Sequence, residues 1–192
     1  TGCAGIGLGI ESGSEWLRQN VLRKPSTNKR IEKALAMIHE FDIRTTANSM
    51  IGFPGEYEGD IFETIKLFKK TQPKSYDLSF VAPYIGTPIH KIANEMGLIE
   101  TLNKPGFKGM APKISFRGRP GIKNPNITSE RLVQISKDFV GYIEGRVQIP
   151  DEFLAPVPGN EGIPRGEMGS NISKALRASS NNGCSDTKDE LY

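Results

Sequence analysis

Three short stretches place glycines, hydroxyls or carboxylates where an apolar run stops: GIESGSE at 9–15, MIGFPGE at 50–56 and APYIGTP at 82–88. In the first, Glu11 and Ser12 follow Ile10 directly. A carboxylate accepts bonds from a cationic group or from hydroxyls, and a serine both donates and accepts. Such groups at a strand end either mark a plain turn or point at a ligand. Glycines in all three stretches permit close approach of backbone to another body. The remaining chemical candidates are sparse. His39 lies near a helix end, where a cation suits the dipole and a surface role is the simpler one. His90 follows the third stretch and is read as structural. Trp16 is read as packing, and Tyr84 as a residue that should face whatever the third turn faces. Lys104, Lys108, Lys113, Arg117, Arg119 and Lys123 form a basic run that suits a phosphate-bearing substrate or, more simply, a solvated loop.

The elements that position these stretches follow from periodicity. Apolar runs at 6–10, 43–51 and 76–81 read as strands, each followed by a Gly- or Pro-bearing turn. Ile31, Ala34, Leu35, Ile38 and Phe41 recur at helical spacing and predict a helix over 27–41, capped by Ser26 or Thr27. A shorter helix is expected from 15 to 22. Asp60 and Glu63 form a D-x-x-E capping pattern for a helix that carries Ile61, Ile65 and Phe68 on one face and stops before Pro73. Residues 89–96 predict a short helix ending at Gly97. Strands alternating with amphipathic helices imply a parallel sheet with helical crossovers, in units of about 30–40 residues. Such sheets bind ligands at the carboxyl ends of their strands, where all three stretches lie.

Beyond residue 100 the pattern changes. Residues 101–126 are rich in Gly, Pro, Lys and Arg and predict a loop, with a short strand at 113–116. A helix over 129–143 follows Thr128 as its cap, with Leu132, Ile135, Phe139 and Ile143 on its inner face. Residues 156–192, rich in Gly, Ser, Asn and Pro, are expected to be flexible or peripheral.

Composition excludes several classes. The 192 residues carry 25 basic and 22 acidic side chains, a net charge of +3, too balanced to argue for nucleic acid or a membrane surface. No apolar run reaches the roughly 18 residues of a membrane span, and no signal peptide opens the chain. The order KDEL at 188–191 is followed by Tyr192, so it is not a C-terminal retention signal. Two cysteines, Cys3 and Cys184, form neither a disulfide framework nor a four-ligand metal site, and a reducing, cytoplasmic setting is expected. The glycines at 2, 5, 7 and 9 do not complete a dinucleotide fingerprint, and no phosphate loop of the G-x-x-x-x-G-K type is present.

Taken in order, GCAGIGLGIESGSEWLRQNVLRKPST, ANSMIGFPGE and FVAPYIGTPIHKIANEMGLI resemble consecutive blocks of the radical S-adenosylmethionine (SAM) superfamily, most of all the subgroup whose members often carry an N-terminal cobalamin-binding domain. The resemblance covers roughly residues 2–100, with a weaker echo in NITSERLVQISKDFVGYI. It implies an α/β fold holding the last three βα units of a partial (β/α)6 TIM-barrel-like domain. On that reading residues 1–100 are the C-terminal half of the barrel, 101–150 a basic loop and helical extension, and 151–192 a tail.

The resemblance also implies roles. Glu11 and Ser12 would contact the ribose and amino-acid part of SAM. Asn48, Met50, Ile51 and Gly52 would lie against adenine. In the family pattern GxIxGxxE the first Gly and the final Glu are replaced here by Asn48 and Gly55, with Glu56 next door. Ala82, Pro83 and Tyr84 would offer backbone groups to adenine, and Arg23, or equally Lys24, would pair with the SAM carboxylate. The family's C-x-x-x-C-x-x-C motif, which holds a [4Fe–4S] cluster, is absent from this chain. The implied enzyme generates a 5′-deoxyadenosyl radical or performs cobalamin-assisted methyl transfer on an unidentified, small-molecule or other substrate. This chain alone would be inactive, its partner being the N-terminal half of the barrel. Two other readings fit the residues: a different (β/α)-barrel enzyme holding a phosphorylated substrate at the basic loop, and a non-catalytic interaction module.

Overall fold

A computed structural model describes residues 2–99, 120–155, 166 and 169–174. Strands β1 (Gly5–Glu11), β2 (Arg44–Ile51) and β3 (Ser75–Phe80) form a parallel sheet in the order β1-β2-β3. Helices α1 (Glu15–Asn20) and α2 (Asn28–Glu40) join β1 to β2, and α3 (Glu58–Thr71) joins β2 to β3. Helix α4 (Pro88–Glu95) follows β3, α5 (Ser129–Glu144) comes later, and Asp151–Phe153 makes a turn of 3-10 helix. The parallel α/β arrangement agrees with the alternation of strand and helix patterns in the sequence.

The period of two in the strands assigns two faces. Thr45, Ala47, Ser49 and Ile51 are buried on one side of β2, while Asn48 is exposed on the other. Ile10, Ala47, Ile51 and Phe80 join Ile31 and Leu35 of α2, Phe62, Ile65 and Phe68 of α3, and Leu132, Ile135 and Phe139 of α5 in one apolar core. Each of the Ile, Leu and Phe side chains contributes about 1.5–3 kcal/mol when fully buried. The opposite face has a different composition. In register across it lie Gly7 and Thr46, and then Gly9, Asn48 and Asp77. A parallel sheet is ordinarily covered on both faces. Here Gly7, Gly9, Asn48 and Asp77 are exposed among the described residues.

A second apolar cluster sits at the strand carboxyl ends. Leu17 and Val21 from the α1 region meet Phe53 and Val81, which follow β2 and β3, together with Ile92, Ala93, Ile122 and Ile172. Residues 169–174, within the stretch expected to be a tail, are helical, and Ile172 is fully buried. Trp16 is packed against this cluster, as a packing residue should be.

One capping expectation is corrected. Helix α3 starts at Glu58 with Tyr57 as its N-cap, and Asp60 Oδ2 reaches back to accept the Tyr57 N–H at 2.9 Å. Asp60 is therefore the third helical residue, and Glu63 pairs with Lys66 one turn along instead of closing the cap. The other caps follow the sequence: Thr27 accepts from Arg30 N–H, Thr128 from Arg131 N–H, and Gly97 takes a left-handed conformation after α4. The basic run from Lys104 to Arg119 and the strand expected at 113–116 lie outside the described residues.

Candidate functional site

The first strand end is irregular. The register between β1 and β2 shifts between Gly9 and Glu11, a bulge that re-aims the side chain beyond it. Glu11 itself has φ 67°, a left-handed conformation uncommon for a residue with a Cβ. Its Oε1 lies 2.7 Å from Lys24 Nζ, with the glutamate side chain 17% and the lysine side chain 48% exposed. Lys24 thus reaches the Glu11 carboxylate; Arg23 is exposed, with φ 53°.

Ser12 is placed differently from Glu11. It is fully buried, its hydroxyl accepts the Ser14 N–H at 3.1 Å, and its carbonyl accepts from Arg18 Nη1. Arg18, for which the sequence offered no signal, is the hub of this turn. It is fully buried and donates also to Ser26 O at 3.1 Å and to Asn28 Oδ1 at 2.6 Å. Burial pushes its guanidinium below the usual value, and Glu15 pulls in the other direction. Gly13 completes the anchorage. Its N–H donates to Thr64 Oγ1 at 2.7 Å, and a Cβ there would stand 2.4 Å from the backbone of Glu63 and Thr64. The turn after β1 is therefore clamped onto α3.

The second strand end is closed by its own carboxylate. Glu56 is fully buried, and its Oε2 accepts the N–H groups of Gly52 and Phe53. Asn124 Nδ2 donates to Phe53 O at 3.1 Å and Glu56 O at 3.0 Å, fastening the turn from a distant segment. Of the neighbouring candidates, Asn48 lies exposed on the open face, level with Gly9, and Met50 is half-buried against the second apolar cluster. Ile51 lies in the main core, its carbonyl accepting from Val81 N–H. At the third strand end Ala82 and Pro83 are half-buried and Tyr84 is 48% exposed. The Tyr84 carbonyl accepts both the Thr87 N–H and its hydroxyl.

The opposite end of the sheet holds a cavity of about 390 Å³ lined by Ala4, His39, Asp42, Ile43, Arg44, Gln72 and Lys74. His39 Nε2 lies 3.0 Å from Thr45 Oγ1 there. Among the described residues no group of three or more His, Cys, Asp or Glu side chains is arranged to hold a metal ion, and no helix is long and apolar enough to cross a membrane.

Comparison with known proteins gives a consistent set of relatives. No family model matches the chain. It is 25% identical over 154 residues to an uncharacterized methyltransferase of Pyrococcus horikoshii, an alignment covering 79% of this chain and 32% of that protein. It is 33% identical over 98 residues to a tRNA-2-methylthio-N(6)-dimethylallyladenosine synthase of Clostridium botulinum, covering 49% of this chain and 21% of the synthase. A synthase of the same name from Fusobacterium nucleatum is 27% identical over 171 residues, covering 77% of this chain and 37% of its own. The chain thus spans between 21% and 37% of the curated relatives it matches. All three relatives are named as enzymes, and the chain is similar to enzymes in general on this footing.

Proposed function

We propose that this chain supplies part of the SAM-binding surface of a radical SAM-type enzyme that performs methyl transfer or related chemistry. The observation that carries the reading is the first strand end. Glu11 and Lys24 stand as an ion pair at the carboxyl edge of a parallel sheet, beside Gly9, which the described residues leave exposed. The resemblance of the sequence blocks and the similarity to a methyltransferase and to the synthases support it.

The residues fit part of that ligand's chemistry. An ammonium and ribose hydroxyls are donors that Glu11 suits, and Lys24 suits a carboxylate. Asn48, level with Gly9, supplies an amide on the same face. Met50 and Pro83, both half-buried at their strand ends, would offer apolar contact to a flat ring. Bound there, SAM supplies an activated methyl group or, given an electron, an adenosyl radical. Orientation and exclusion of water are the tasks left to these side chains.

A [4Fe–4S] cluster does not fit this chain. Its three thiolates exceed the two cysteines present, and Cys3 precedes β1, at the end of the sheet away from Glu11. On the proposal, cluster ligands come from polypeptide outside these residues. Cobalamin rests on the resemblance alone.

Calorimetric titration of the chain with SAM tests the reading. Saturable binding is expected, weakened about tenfold by Glu11→Gln with the circular dichroism spectrum unchanged. Absence of saturable binding by the unaltered chain overturns it.

A further inference from the structure

The Glu11 carboxylate lies back over strand β1 instead of projecting from its end. A Cβ built on Gly9 would stand 2.7 Å from Glu11 Oε1 and 3.7 Å from Lys24 Nζ. Gly7, two residues earlier on the same face, would meet nothing within 4 Å. The two glycines are alike in strand and in face, yet only Gly9 lies beneath the carboxylate. The bulge after Gly9 and the left-handed φ of Glu11 turn the side chain back onto this spot. A non-glycine residue in that conformation persists only where its surroundings over-determine it.

We propose that Gly9 is a positioning residue for Glu11: its missing side chain is the notch in which the carboxylate rests, and Lys24 is the resting counter-ion that a ligand's cationic group replaces. The identity of the ligand rests on the function proposed above; the notch and the ion pair do not. Lys24 is suited to exchange. Its side chain is half exposed, so its ammonium loses little on leaving Glu11 and can turn to a carboxylate of the ligand. An arriving ammonium then meets a carboxylate already in place, so little ordering remains to be done on binding. A ligand that is only anionic meets Glu11 and is disfavoured.

Four variants of the full 192-residue chain decide the matter: Gly9→Ala, Gly7→Ala, Glu11→Gln and the double variant Gly9→Ala with Glu11→Gln. The first readout needs no ligand. The Lys24 side-chain ammonium signal in nitrogen-15 NMR shifts in Glu11→Gln; Gly9→Ala is expected to reproduce that shift and Gly7→Ala to leave the signal unmoved. The second is SAM affinity, expected to fall about tenfold in Gly9→Ala, to hold in Gly7→Ala, and to fall no further when Gly9→Ala is added to Glu11→Gln. Equal responses of the two glycine variants in the NMR readout, or a further loss in the double variant, overturn the proposal. If the unaltered chain binds no SAM, the functional reading fails and the NMR readout still decides for or against the notch.

Discussion

Glu11 after β1 and Glu56 after β2 bring the same carboxylate to the same edge of one sheet. Glu56 is fully buried and spends an oxygen on two backbone N–H groups of its own turn. Glu11 keeps a partly exposed side chain paired with the half-exposed end of Lys24. The first therefore holds structure, and on the proposed function the second meets the ligand. The turn that presents Glu11 must then be held by other means, and Arg18, Asn28, Thr64 and the bare backbone of Gly13 do so. A strand end that keeps its carboxylate partly exposed is here one whose fastening has been delegated to neighbours.

That contrast is broken most severely at Glu56. Glu56→Ala strips the Gly52 and Phe53 N–H groups of their acceptor inside a buried turn, and is expected to lower stability by about 3–5 kcal/mol in urea unfolding. Gly13→Ala attacks the other turn. Its Cβ would meet α3 backbone, which cannot swing aside, so a loss of about 2–3 kcal/mol is expected, with Tm lower by roughly 10 °C. Glu11→Gln sharpens the comparison from the opposite side. Removing an exposed ion pair should cost under about 1 kcal/mol of stability while changing ligand affinity. A large stability loss at Glu11, measured by the same unfolding curves, would make the two glutamates alike.

Much of the framework was legible in the chain. Ile31, Leu35 and Ile38 announce α2, and Thr27 and Thr128 announce their helices, because a cap and a 3.6-residue stripe are local properties. The three strand ends were legible for the same reason, as glycines and prolines interrupting apolar runs. Within the site the sequence grouped Glu11 with Ser12 and left Arg23 and Lys24 as equal alternatives for a ligand carboxylate; the ion pair between Glu11 and Lys24 was not legible in it. Burial separates Ser12 from Glu11, and burial depends on α3 packing onto the turn. The capping pattern at Asp60 and Glu63 was displaced by one turn because Asp60 serves the Tyr57 N–H, not its own helix start three residues later.

The order of residues by itself determined the βα alternation, the parallel sheet it implies, and the clustering of glycine-bearing turns at one edge. Only the tertiary structure decided which side chains at that edge are committed. Arg18 reaches Ser26 and Asn28, Thr64 reaches Gly13, and Asn124 reaches Phe53 across 71 positions. Contacts at such separations depend on how helices pack against the sheet, which local propensity does not encode. The same packing leaves Glu11 folded over Gly9, with Lys24 beside it.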